Sequence, residues 1–247
     1  MSYEYYGELC TQIYENSKTM ADGKELEFFL SFVQDKKMKV LEPMCGNGRM
    51  LIPFMEKGID IEGFDISEEM LRVCKLKGRK LNLKPNVFYG KIEEFKGDNT
   101  YDLIMIPFGS FSLLSDEFVK DSLINMKTIL KEGGKFLLTV MTNTGTVEDI
   151  PDWMETNRRY LDNNEIIEYK KVNYDQASRM LNINLNYQLV KDGRIVKSEI
   201  MDFPIRLYEP GEFKTILKTI GFGEVILHEV INGYGEGSSF QVFECVK

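Results

Sequence analysis

Residues 40–54, VLEPMCGNGRMLIPF, run from an apolar stretch ending in a carboxylate, through two glycines two apart, into a helix-like apolar pattern. A strand, a glycine-rich turn and a helix in that order admit few folds. Glycine lets backbone N–H groups approach a ligand where a Cβ would collide, and the ligand then rests outside the carboxyl ends of parallel strands. The dinucleotide fingerprint G-x-G-x-x-G is not completed: counting from Gly46 through Gly48, Leu51 stands where the third glycine belongs. Glu42, four residues before Gly46, would repel a pyrophosphate and suits a ligand with an ammonium group. Asp65 ends the next predicted strand, where a carboxylate accepts two ribose hydroxyls at once. A nucleoside bearing an amino-acid tail, without phosphates, satisfies both carboxylates.

The pattern around this turn predicts helices over 4–20 and 24–34, a buried strand over 38–42 and a helix over 48–57, with Pro53 early enough to be tolerated. A strand over 59–65 follows, then Ser67 as the N-cap of a helix with acidic residues in its first turn and basic ones in its last. Strands are predicted at 87–90 and 101–107, a long helix from Asp116 ended by Gly133–Gly134, and a strand over 135–141. Alternation of strand and helix over 38–141 predicts an α/β fold, a Rossmann-like doubly wound, mostly parallel sheet with helices on both faces. Three β-like runs over 164–208, with KDGR at 191–194 as a tight turn, predict an inserted antiparallel β meander. A helix over 210–222 and two closing strands, antiparallel hairpin partners, complete a seven-stranded sheet whose last strand is antiparallel. The expected organisation is a single domain over 1–247, with its core at about 36–141 and 205–247, an N-terminal helical lid over 1–35 and the insertion over about 145–204.

Composition narrows the partners. A net charge of −8 argues against a duplex or tRNA, which needs a basic face; the cluster RVCKLKGRKLNLK at 72–84 fits a solvated helix face. No run of 18 apolar residues marks a membrane span, and the N-terminus MSYEYYGELC has no signal-peptide core, so a cytoplasmic protein is expected. Four scattered cysteines without CxxC pairs suit a reducing compartment, and the single His228 excludes a histidine-based metal centre.

In order and spacing, LEPMCGNGRML, GFDISEEML, YDLIMIPFGSFSLL and LKEGGKFLL resemble class I S-adenosylmethionine-dependent methyltransferases. The aromatic N-terminus YEYYGELCTQIYENS and the IRLYEPGEF segment resemble the small-molecule subgroup that includes amino-sugar N-methyltransferases and glycine N-methyltransferase. The resemblance implies S-adenosylmethionine as cofactor, S-adenosylhomocysteine as product and a small-molecule acceptor methylated at N or O. It sets Met44 at the first glycine of (E/D)-x-G-x-G-x-G, Glu42 near the amino end of the methionine moiety, and Gly46 and Gly48 along it. Asp65 takes the ribose hydroxyls, and Ile66 and Met70 flank the adenine. Where the family often has Gly-Asp, this chain has Gly90–Lys91; Lys91 cannot accept the adenine hydrogen bond, which leaves it to groups near Ile92 and Glu93. Tyr6 and Tyr14 either cover the sulfonium and shape the acceptor pocket or pack a lid helix, and Arg49 reaches either a protein carboxylate or that of the cofactor. Pro107 lies where the family places the reacting methyl; Phe108, Gly109 and Ser110 line the acceptor or form a simple turn. Trp153, with Arg158 and Arg159, faces the acceptor or serves subunit packing, the latter through a homodimer formed by the insertion. No catalytic residue is fixed; Tyr14 and His228 are candidates, the latter as a general base or simply a core or surface histidine. The scarcity of histidine favours an amine or an already acidic acceptor. Two competing functions are a nicotinamide-dependent oxidoreductase, opposed by Glu42 and the missing third glycine, and a non-catalytic module that binds an adenosyl ligand.

Overall fold

The computed structural model describes residues 6–17, 19–97, 100–143, 148–161 and 164–247. Residues 1–5 and 18 of the expected lid and 145–147 and 162–163 of the expected insertion lie outside this set. The chain opens with two short helices, α1 (Glu8–Ser17), inside the span predicted for it, and α2 (Gly23–Leu30), which starts one residue before its predicted span. Then come β1 (Lys39–Pro43), α3 (Leu51–Glu56), β2 (Asp60–Asp65), α4 (Glu68–Lys80), β3 (Asn86–Tyr89), β4 (Tyr101–Ile106), α5 (Asp116–Ile129) and β5 (Leu130–Leu138). The meander is β6 (Ile150–Leu161), β7 (Asn164–Asp175), β8 (Met180–Lys191) and β9 (Arg194–Arg206). The chain closes with α6 (Pro210–Ile220), β10 (Glu224–Val230) and β11 (Phe240–Val246).

Seven strands form one sheet in the order β10-β11-β5-β4-β1-β2-β3. Its strands run parallel except β11, which is antiparallel to both β5 and β10. The central strands are apolar on both faces because helices cover both: Val40 and Leu41 of β1 and residues 103–106 of β4 are buried. Consecutive strands β1, β2 and β3 step to one side of β1, while β4 and β5 step to the other. That reversal opens a crevice at the carboxyl ends of β1 and β4. Ser67 caps α4 by accepting the Met70 N–H at 3.1 Å, as its position predicts.

Three departures from expectation bear on the site. The long helix stops at Ile129, and residues 130–134 already belong to β5, where Leu130 pairs with Tyr101. Pairing with β4 and β11 outcompetes the local signal of Gly133–Gly134. The helix after the glycine turn begins only at Leu51, after a longer turn than predicted. The meander has four strands, not three: β6 was hidden by its polar, proline-containing sequence IPDWMETNRRYL. β6 pairs with β7 along one edge, with register shifts. Leu9, Cys10 and Ile13 of α1 pack on Ile166, Tyr187 and Met201 of this second sheet. No helix among the described residues is long and apolar enough to cross a membrane.

Candidate functional site

A cavity of about 1050 Å³ occupies the crevice beyond β1, β2 and β4. Glu42, the penultimate residue of β1, lines it and is only 3% exposed. One of its oxygens, Oε2, has no hydrogen-bond partner among the described residues. Burial pushes the Glu42 carboxyl well above the usual carboxylate range; Arg49 opposes this, while Glu25 and Asp65 add to it. Asp65, at the end of β2, lines the same cavity. Its Oδ2 accepts the Gly46 N–H and its Oδ1 the Ser67 N–H, both at 2.8 Å. Burial raises its carboxyl too, and these backbone donors, with that of Ile66, pull it back.

The turn between β1 and α3 divides its work between two glycines. Gly46 has φ +51° and open space where a Cβ would stand, on the cavity wall. Gly48, with φ +76°, is not among the lining residues, contrary to expectation. A Cβ there would lie 2.5 Å from Cys74 Sγ, so this glycine lets α4 close on the turn. Met44, at the position of the family's first glycine, adopts φ +58° and lines the cavity. Arg49 forks onto Glu25 of α2 at 2.8 and 2.5 Å, and its guanidinium lies 4.5 Å from the Phe108 ring centroid. The carboxylate it reaches is therefore a protein one, while its side chain still forms part of the cavity wall.

Ile66 and Met70 reach the cavity from the start of α4, and Ile92 and Glu93 from the turn after β3. Asn125 of α5 fixes that turn by donating to the Ile92 and Glu93 carbonyls at 3.1 and 2.8 Å. Lys91 Nζ is held by Glu94 at 2.8 Å. Pro107 and Phe108 close the β4 end; Phe108 and Gly109 have successive positive φ values of +62° and +73°, which bends the loop sharply after the strand.

A second cavity of about 380 Å³ lies between α1, this loop and the meander. Tyr6, Tyr14, Phe108, Ser110, Leu113 and Phe203 line both cavities and so form their common wall. Tyr6 meets Tyr14 edge to face at 6.0 Å and Phe203 at 5.7 Å. Gly109 lines only the smaller cavity. Besides Gly48, two candidates fall outside both. His228 is on β10, its Nε2 is 2.7 Å from Glu244, and its ring packs against Phe28 and Phe32, so it has no place as a general base here. Trp153 on β6 is 41% exposed, with Lys171 stacked 5.1 Å from its ring, and lines neither cavity. Sequence reasoning missed Glu25, Asn125 and the inward residues of the meander, Asn157, Glu168, Tyr187 and Phe203. Period-two alternation was the one signal that pointed to the meander residues, and it does not say which face is inward.

Residues 40–134 match the family model described as a methyltransferase domain. A protein of Geobacillus sp. (strain WCH70), provisionally named a methyltransferase, is 28% identical over 120 residues, 44% of this chain and 48% of that protein. The chain thus spans about half the length of that relative. YqeM of Bacillus subtilis (strain 168), named in the same way, is 25% identical over 190 residues, 76% of this chain and 74% of that one. A solved sugar N-methyltransferase from Streptoalloteichus sp. shares the fold, with a TM-score of 0.73 at 15% identity, over 100% of this chain and 94% of that one.

Proposed function

We propose that this chain, whose residues 40–134 match a methyltransferase-domain model, transfers a methyl group from S-adenosylmethionine to a small-molecule acceptor, at nitrogen or oxygen. The observation that carries this reading is the buried Glu42 Oε2, unpartnered among the described residues, in the same cavity as Asp65. A buried carboxylate without a partner is costly, and a ligand ammonium offsets that cost. Glu42 takes the ammonium of the methionine moiety, and Met44 and Gly46 run along it. Asp65, already oriented by two backbone N–H groups, has lone pairs left for the ribose hydroxyls. Ile66, Met70 and Ile92 flank the adenine. The Glu93 carboxylate and backbone beside Ile92 replace the acceptor that Lys91 cannot supply.

When bound, the cofactor supplies a methyl carbon that its sulfonium has already made electrophilic. The chain positions an acceptor against that carbon and keeps water away. Tyr6, Tyr14, Pro107 and Phe108 are placed for this, and aromatic faces attract a cation by about 0.5–2 kcal/mol. α1 and the meander act as the lid and acceptor wall of one catalytic unit. The likeness to the Streptoalloteichus neighbour, a sugar N-methyltransferase, supports an acceptor of small-molecule type. The proposal includes a reducing, cytoplasmic setting, which suits four buried free cysteines. It also includes self-association through the meander, where β9 exposes Ile195, Val196 and Ile200.

Calorimetry with S-adenosylhomocysteine and with NADH tests the reading. The adenosyl compound binds and NADH does not. Asp65→Ala weakens binding roughly 10–100-fold, the loss of hydrogen bonds to a charged acceptor. An Asp65→Ala protein that binds as tightly as the wild type would overturn the ribose assignment.

A further inference from the structure

The inner face of the meander carries a polar row, of which only Glu199 lines the cofactor cavity. Asn157 stands opposite Glu168, Glu168 opposite Tyr187, and Tyr187 opposite Glu199. Residues opposite one another in antiparallel strands share a face. Glu199 is engaged by α1 and by Lys197, accepting the Leu9 N–H at 2.8 Å and pairing with Lys197 Nζ at 2.8 Å. Asn157, Glu168 and Tyr187 line the smaller cavity. The rest of that wall is largely apolar, with Ile13, Leu185, Met201 and Ile205 in it, and no Lys or Arg is among the described residues that line it. The Thr156 hydroxyl donates to Glu168 Oε1 at 2.6 Å, and the Tyr187 phenol bonds the same side chain. These two neutral donors orient the anion and add no positive charge.

We propose that the smaller cavity is the acceptor site of the methyltransferase read above, and that Glu168 makes it selective for a compact amine: an apolar body, one basic nitrogen, and neither phosphate nor carboxylate. The carboxylate has acceptor capacity beyond its two protein donors, enough for an N–H of the ligand. A nitrogen that receives a methyl group gains positive charge, and an oriented anion stabilises it. An anionic acceptor, including a sugar carried on a diphosphate, meets like charge here and no cation among the described residues of the cavity wall. At about 380 Å³, the cavity lies near the lower end of the range for small-molecule sites. It adjoins the cofactor cavity through Tyr6, Tyr14, Phe108 and Ser110.

The test uses four ligands on one six-membered ring: cyclohexylamine, cyclohexanol, cyclohexanecarboxylate and cyclohexyl phosphate. Each is titrated into the full chain saturated with S-adenosylhomocysteine and followed by NMR. The amine binds roughly tenfold tighter than the alcohol, and the two anions bind more weakly still. Glu168→Gln weakens the amine roughly 10–100-fold while leaving affinities for S-adenosylhomocysteine and cyclohexanol unchanged, and Glu168→Asp recovers part of the loss. A chain that binds S-adenosylhomocysteine but takes the anions as well as the amine, or binds none of the four, overturns this proposal alone. So does a Glu168→Gln protein that binds the amine like the wild type. A wild-type chain that does not bind S-adenosylhomocysteine overturns the cofactor reading and this one with it. If Glu168→Gln fails to fold, the order of the four ligands on the wild type decides.

Discussion

Glu42 and Asp65 are carboxylates that the fold buries, and both are held above their ordinary range mainly by that burial. A carboxyl raised in the folded state binds its proton more tightly there than in the unfolded chain. The ligand-free protein therefore loses stability as pH rises from the unfolded value of 4.5 through the raised folded value of Glu42. Asp65 adds a slope of the same sign from 3.8 upward. Glu42→Gln removes the larger of these two burdens. Thermal melts of the ligand-free variant show a flatter pH profile and a higher Tm at neutral pH, by about 2–4 °C for each kcal/mol recovered. The same variant binds S-adenosylhomocysteine about tenfold more weakly, because the ammonium has lost its anion. A variant whose profile parallels the wild type would count against an ionising Glu42. The two glycines of the turn illustrate the same scale. Gly46 keeps the cavity open, whereas Gly48 keeps room for Cys74, and only contacts with α4 distinguish them.

At the scale of elements, α1 is the piece that joins the two cavities, and it is fastened from outside itself. Glu199 of β9 accepts the Leu9 and Cys10 N–H groups at 2.8 and 3.4 Å, an N-cap supplied from a strand about 190 residues away in sequence. Just before the helix, the Tyr6 carbonyl accepts the Ser67 hydroxyl at 3.1 Å, and the Tyr6 N–H approaches Met201 Sδ at 3.2 Å. The segment thus bridges the start of α4 and the meander. Glu199→Ala removes a cap worth about 0.5–2 kcal/mol of helix stability. Hydrogen exchange over residues 8–17 speeds up, S-adenosylhomocysteine dissociates faster, and global Tm changes little, because α1 is a short element away from the main sheet's core. Unchanged exchange in α1 would mean that Glu199 does not secure it.

For the whole molecule, the second sheet must be held on the first for the two cavities to meet. Arg206, the last residue of β9, is 8% exposed and donates to Asp116 of α5 at 3.1 Å, to Glu212 of α6 at 3.0 Å and to the Leu207 carbonyl at 2.7 Å. Arg179, beside β8, holds the same Glu212. Arg206→Ala removes the cation shared by Asp116 and Glu212 and leaves Glu212 to Arg179 alone. The cost is about 1–3 kcal/mol, below that of a fully buried pair because Asp116 and Glu212 are partly solvated. Calorimetric melting reads this as a lower Tm, and S-adenosylhomocysteine affinity changes less than acceptor-analogue affinity, since the cofactor cavity rests mainly on the first sheet. The sequence by itself determined the strand–helix order of that sheet, its antiparallel end and the two strand-end carboxylates. Each follows from signals a few residues apart: apolar runs, a cap at Ser67, glycines after β1. Only the tertiary structure decided that α5 ends at Ile129, that β6 exists, that Gly48 faces Cys74, that His228 and Trp153 stand apart, and that Glu168 and Glu199 share a row. Those outcomes are set by pairing and packing between residues distant in the chain, where register and contact override local propensity.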